Sequence, residues 1–353
     1  MTQAPPSKRE VWLDLLRIAS AFLVIVNHTN SRVFQQTQPG QAVWWLSLLW
    51  YYVSKLAVPL FVMVSGACLL NRRESWTKAL SRALRVLCAL LVFAYLYFLH
   101  DAWVHYGLWP RMLRLDLLLA DLWTQQVSDG FWYLYFYMGL MLMLPLLQKL
   151  AHGMQSRDYA WLIGLCLALD GLWPLLAHYL PGLALPSYMQ TPLYTGYLGL
   201  FFAGHWIRQN AAFSARRRAL IGLAASLAFS LALTYLEVFR VGEGEKYWFM
   251  DDRLHPSLFT CTASLCAMTL FKGAGSRFSG RACRAATELG GCAFGVYLLQ
   301  DWLIAQTKTR LFAPLRDILS PFPAVLIWEA AVFALGLALS FGLRHLPGFK
   351  RIL

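Results

Sequence analysis

The chain has 353 residues, 58% of them hydrophobic and only 14% charged, with a mean hydropathy of +0.49. Soluble domains carry about 25% charged and about 45–50% apolar residues, so an ordinary water-soluble protein is excluded. The formal net charge of +13 does not read as a nucleic-acid footprint, because the basic residues sit in short loops and recur in every second one, the positive-inside pattern.

Backbone polar groups in lipid must be satisfied within the chain, which leaves helices or a closed barrel. Long apolar runs without strict alternation favour helices. Hydropathy and breaker residues predict spans near 11–30, 44–70, 83–106, 131–149, 159–180, 191–207, 219–240, 256–272, 287–306 and 322–343. The expected fold class is an all-α polytopic integral membrane bundle of about ten transmembrane helices, in one domain over 1–353. One set of loops, running from Lys8 and Arg9 through Arg72/Arg73 to Arg344 and Arg351, holds about twenty Lys or Arg against about nine opposite, which puts both termini in the cytoplasm. Lys8 and Arg9 before an apolar run superficially suggest a signal peptide. That run continues into Asn27-His28-Thr29-Asn30 without a small-x-small cleavage site, so a retained first helix is expected.

Ionisable groups at membrane depth are costly enough to be functional candidates, and the first span carries Asp14, Arg17 and His28. At about 100° per residue Asp14 and Arg17 lie one turn apart, and His28 falls within about 20° of Arg17, so the three share a stripe. The rise from Arg17 to His28 is about 16 Å, too far for a hydrogen-bonded dyad, so a substrate touching both must be elongated. An acyl-CoA fits, with phosphates for cations and a long pantetheine arm that carries a thioester to a distant site. The basic cluster Arg72, Arg73, Lys78 and Arg82 offers further phosphate partners, and it equally serves as a topology signal and headgroup contact. Histidine is suited to take a proton from a hydroxyl and pass one to a thiolate; His28 stands among Asn27, Thr29 and Asn30.

In the second span Lys55 precedes Pro59, and it either steadies a developing oxyanion or pairs with an acid. His100, Asp101 and His105 gather at the end of the third span, to contact an acceptor or to anchor at the interface. Residues 107–130, with Arg111, read as an interfacial amphipathic helix. Asp170, Glu237 and Glu329 are expected in structural pairs. The segment 240–256, with Gly242, Gly244, Tyr247, Trp248, Phe249, Asp251, Asp252 and His255, is either a binding-site lining or a plain exposed connection. Six of the seven cysteines lie in apolar stretches and Cys283 in a short basic loop, without a C-x-x-C pair, so no metal site is expected.

These residues carry a resemblance to the acyltransferase family 3 membrane proteins. Leu13-Asp14-Leu15-Leu16-Arg17 followed by Asn27-His28 resembles that family's opening signature, an Arg and a His separated by ten residues. Val58-Pro59 through Ser65-Gly66 resembles its second-helix motif, with Lys55 where a basic residue commonly precedes the proline. Phe131-Trp132-Tyr133 ending in Leu144-Pro145 resembles the fourth-span pattern, and Gly295-Val296-Tyr297-Leu298 the late Gly-Ile-Tyr-Leu block. Within the family the chain resembles the enterobacterial common antigen O-acetyltransferase type. It departs in having Gln300-Asp301 where many relatives have His then Pro.

The resemblance implies a ten-helix bundle, cytosolic acetyl-CoA as co-substrate with no tightly bound cofactor, and transfer to a hydroxyl of a glycan or lipid-linked sugar at the external face of the bacterial inner membrane. It implies His28 and Arg17 as the essential pair, with Asp14 as acidic neighbour. The expected mechanism is direct transfer, His28 acting as general base, with an acyl-histidine intermediate as a variant. Arg17, Arg72 and Arg73 hold the donor phosphates, and Lys55 or donors near Ser65 steady the oxyanion. Trp132, Tyr133, Tyr297 and Gln300 are expected at the acceptor. Membrane lipids are the other partners, and nucleic acid is not one. The rival reading is a transporter of a glycan or lipid-linked intermediate, since intramembrane charges also line transport paths.

Overall fold

Every regular element among the described residues is helical. The computed structural model describes residues 10–105, 114–124, 127–183, 196–210, 215–241, 257–274 and 280–353. Lys8, Arg9, Arg111, the His105 side chain and Gly242 to His255 of the long loop lie outside them.

Seven helical segments among the described residues are long and apolar enough to cross a membrane: Val11–Thr29, Ala42–Leu69, Trp76–Val104, Trp132–Gly153, Ser156–Tyr179, Arg216–Phe239 and Pro321–Leu343. The other three expected spans coincide with helices that do not meet that standard, for visible reasons. Gly196–Gln209 and Leu258–Ala274 have 14 and 17 residues. Gly280–Thr307 has 28, but it carries Arg281, Arg284, Glu288 and Asp301.

The described residues form two compact units. The first comprises residues up to Asn71 and Met154–Ala293. It holds α1 (Val11–Thr29), α2 (Ala42–Ser54) and α3 (Ala57–Leu69). Pro59 has no N–H for the carbonyl of Lys55, and the span breaks between α2 and α3 at Lys55-Leu56. The second unit, Arg72–Gly153 and Phe294–Leu353, begins with α4 (Trp76–His105), α5 (Leu115–Trp123) and α6 (Trp132–Gly153). Ser75 caps α4, its hydroxyl accepting from Lys78 N–H at 3.4 Å. α5 falls in the segment expected to lie in the interface; Leu118 and Leu122 are buried while Leu115, Leu119 and Trp123 are exposed. At its start Arg114 hydrogen-bonds Asp116 and holds that carboxyl down at about 2.

The first unit continues with α7 (Ser156–Cys166) and α8 (Trp173–Tyr179), joined by a π-helical turn, Leu167–Leu172, that carries buried Asp170. α9 (Gly196–Gln209), α10 (Arg216–Leu236) and α11 (Leu258–Ala274) follow. A second π-helical turn after α10 begins with Glu237, which pairs with His178 at 3.1 Å. Such turns often mark functional or strained positions. α3 and α9 approach at small residues: Gly66 faces the backbone of Phe201, and Gly204 faces that of Met63. Close approach at glycine replaces the hydrophobic drive that is missing between helices in lipid.

The last helices are α12 (Gly280–Thr307), α13 (Ala313–Ile318) and α14 (Pro321–Leu343). α12 belongs to the first unit up to Ala293 and to the second from Phe294. Pro321 opens α14 after the extended residue Ser320, the place where a proline costs a helix nothing. In the second unit Gly295 of α12 meets Ser340 of α14.

Candidate active site

α1 is an interior helix. Its span is 61% buried, against 22% for the Arg216–Phe239 span, so polar groups on it are enclosed by protein. Asp14 is 1% exposed. It accepts a hydrogen bond of 2.6 Å from Arg17 Nη1, one helical turn on. Nη2 of Arg17 lies 3.1 Å from the Cys68 sulfur on α3. Gly290 of α12 packs over Asp14, where a methyl would lie 2.8 Å from Asp14 Cβ. A guanidinium has five N–H groups, and the 32% of the Arg17 side chain that is exposed keeps an edge for an anion. Near this end of α3, Arg208 of α9 binds Glu10 at 3.0 Å and caps the carbonyl of Ala67 at 2.6 Å.

His28 is half-buried in the last turn of the same unbroken helix. Thr29 turns its hydroxyl back to the Ile25 carbonyl at 2.8 Å, while Asn30 and Ser47 bond each other. Asn27 Oδ1 is buried without a hydrogen-bond partner. The end of the helix is thereby fixed to α2 while Asn27, beside His28, keeps an acceptor to offer.

Lys55 caps α2 at the break before α3, with its ammonium 4.5 Å from the centre of the Tyr51 ring. Ser65 is half-buried and donates to the carbonyl of Phe61 at 2.9 Å. Gly66 beside it provides the close approach to α9.

In the second unit, the basic loop is organised by an acid. The Glu74 side chain is 2% exposed; Arg82 grips it with two bonds of 2.8 Å, and Lys78 and Arg72 stand 3.5 and 3.7 Å away. Its N–H donates to Gln148 on α6 at 2.9 Å. Burial pushes the Glu74 carboxyl up, but the Arg82 hydrogen bonds and the three cations outweigh it and hold the group below the usual range. Three cations around one carboxylate leave net positive charge. Arg72 is more than half exposed, and Arg73 is also at the surface.

A second cluster in this unit surrounds Gln300 on α12. The Tyr97 hydroxyl of α4 donates to the Leu298 carbonyl at 3.1 Å and accepts from Trp302 N–H at 3.0 Å. It thus bridges a carbonyl and an N–H four residues apart in the turn that carries Gln300 and Asp301. Asp301 accepts from the Ser128 hydroxyl, and Tyr297 donates to the carbonyl of Gly130. The Tyr133 ring meets that of Tyr297 edge-on at 5.8 Å, and half-buried Trp132 lies beside Tyr133.

The family model for the acyltransferase domain of acyltransferase family 3 matches residues 10–345. The chain belongs to acyltransferase family 3. Comparison with curated proteins and with solved structures returned no match.

Family 3 membership places the protein among the membrane acyltransferases. Within it, the structure joins Asp14 to Arg17 as the spacing predicts, and brings Tyr133 to Tyr297 although 164 residues separate them. Asp170 and Glu237 are buried, and Glu237, expected in a structural pair, meets His178. His100 of α4 reaches Gln306 at 2.8 Å. Cys68, Glu74, Tyr97, Ser128, Gly130 and Arg208 were not foreseen as neighbours of candidate residues. Glu74 alone had a sequence signal, standing four residues before Lys78 at the start of a helix. Among the described residues no group of three or more His, Cys, Asp or Glu is placed to hold a metal ion.

Proposed function

We propose that the protein is a membrane O-acyltransferase that moves an acetyl or related acyl group from cytosolic acetyl-CoA to a glycan or lipid-linked sugar. The acceptor hydroxyl lies at the external face of the bacterial inner membrane, and enterobacterial common antigen is the acceptor type the sequence resembles. The chain forms one acyltransferase domain of ten spans, with both termini in the cytoplasm. The observation that supports this most is the anchored Arg17 eleven residues before His28 on one unbroken interior helix, in a chain of this family.

The donor is acetyl-CoA, used as co-substrate. Arg17, held by Asp14 and Cys68, meets the anionic end of the donor, and its pre-set fork loses little freedom on binding. Arg72 and Arg73 offer a cationic surface for phosphates. About 16 Å of helix rise separates Arg17 from His28, a length suited to a pantetheine arm. His28 takes the proton of the acceptor hydroxyl as its oxygen attacks the thioester carbonyl. A C–O bond forms, the C–S bond breaks, and the proton passes to the departing thiolate. Lys55 and the segment at Ser65 are assigned to the carbonyl oxygen as it gains charge, and Trp132, Tyr133, Tyr297 and Gln300 to the acceptor. The family match favours this over transport of a glycan intermediate.

The test is to incubate membranes containing the wild type or His28→Ala with labelled acetyl-CoA and to analyse surface and lipid-linked glycans by mass spectrometry. Label in wild-type glycans that disappears with His28→Ala is the expected result. Equal label in both removes His28 from the chemistry. No label in either, alongside movement of a glycan intermediate, overturns the acyltransferase reading.

A further inference from the structure

Gln300 is 1% exposed, and both its Nε2 and its Oε1 are buried without a hydrogen-bond partner. Buried side-chain amides are nearly always paired, and an apolar residue of the same shape would be cheaper in this place than an unpaired one. The surroundings are polar and built. A methyl on Gly130 would lie 3.1 Å from Gln300 Nε2 and 3.2 Å from Asp301 Oδ2, so both side-chain tips overlie the bare α-carbon of Gly130. Gly130 is fixed there through the Tyr297 hydroxyl on its carbonyl, and the Ser128 hydroxyl holds Asp301. The helix turn beneath is bridged by the Tyr97 hydroxyl, which bonds both Leu298 and Trp302. Asp301 is half-buried and gives the cluster its way to the surface.

An amide with both ends unpaired presents a donor and an acceptor side by side. Two neighbouring hydroxyls of a sugar ring match that pattern: one accepts from Nε2–H while the other donates to Oε1. A carboxylate such as Asp301 accepts a further hydroxyl proton. We propose that Gln300, with Asp301 and Ser128, forms a subsite that recognises the vicinal diol of a pyranose. This names the acceptor chemistry and rests on the glycan acceptor proposed above.

The test is direct binding, independent of acyl transfer. The full-length protein in detergent is titrated by saturation-transfer NMR with methyl α-glucopyranoside and with its 3-deoxy analogue, which has no vicinal hydroxyl pair on the ring. The wild type is expected to bind the glucoside and to lose about tenfold in affinity for the deoxy analogue. Gln300→Met is expected to lose about tenfold for the glucoside and to stop discriminating between the two sugars. Gly130→Ala, which crowds both tips, gives the same loss by another route and serves if Gln300→Met does not fold. Unchanged glucoside affinity in the substituted proteins overturns the proposal, and so does equal wild-type affinity for both sugars or no binding of either. A Gln300→Met effect on acetyl-CoA affinity alone also overturns it, assigning the amide to the donor. If the wild type transfers no acyl group but the diol discrimination depends on Gln300, the subsite stands and the acyltransferase reading falls.

Discussion

Asp14 and Glu74 are both nearly fully buried carboxylates gripped by arginine, yet their surroundings differ in charge. Asp14, in the first unit, meets the Arg17 guanidinium at 2.6 Å, one turn along its own helix. Glu74, in the second, meets Arg82 through two bonds and has Lys78 and Arg72 within 3.7 Å. The first arrangement is neutral as a pair, which suits an interior helix where an unpaired charge is expensive. The second keeps a surplus of positive charge on a loop and uses the acid to fix its direction. An interior pair can orient one arginine toward a ligand, whereas a loop cluster gathers anions without holding any one group rigidly.

That contrast can be broken at either end. The largest effect is expected from Asp14→Ala, which strands Arg17. Loss of one partner from a buried pair costs about 3–5 kcal/mol; with the Arg17 side chain 32% exposed, we expect the low end, about 3 kcal/mol, together with loss of transfer. Denaturant unfolding in detergent reads this, and a variant as stable as the wild type would show that Asp14 does not hold Arg17. Glu74→Gln is expected to cost about 1 kcal/mol and to weaken donor affinity a few-fold, as Arg72, Lys78 and Arg82 lose their common anchor. It also changes the acid limb of stability. The pKa of Glu74 is lowered in the folded state, so its contribution is complete above the unfolded value of about 4.3 and is lost as pH falls through the folded value. Thermal unfolding scanned downward from pH 7 should therefore fall more steeply in the wild type than in Glu74→Gln; parallel curves would contradict the pairing. The smallest effect belongs to Arg73→Gln, on an exposed side chain. Stability should change by less than about 0.5 kcal/mol, and a lower affinity for acetyl-CoA, read by isothermal titration, should be its main consequence.

Much of the fold could be read from the sequence because hydropathy and local spacing carry it. The one-turn offset of Asp14 and Arg17 puts them within reach of each other before any tertiary contact is known, whereas the break at Lys55 before Pro59 falls inside 44–70, expected as one span. The boundary of legibility is seen at Gly66. As part of a motif it was a neighbour of candidate chemistry, but its neighbour in space is Phe201, and the need for glycine comes from that helix. Glu74 was hidden for a different reason: counting cations gives the sign of a loop, and says nothing of the acid around which it folds. Tyr97 had no local signal, since a hydroxyl that bonds the backbone of another helix is purely tertiary. The expected ten spans reduce to seven by length and hydropathy among the described residues, because Gly196–Gln209 and Leu258–Ala274 are short, and polar and charged residues interrupt the apolar run of α12.

The central claim is that Arg17 and His28 divide donor binding and proton transfer along one helix. It is tested most directly by the affinity of purified His28→Ala for acetyl-CoA, measured beside its rate of acyl transfer. The account predicts an affinity equal to that of the wild type and a transfer rate lower by about 10²–10⁴, the usual contribution of a positioned general base. Transfer at the wild-type rate would contradict it.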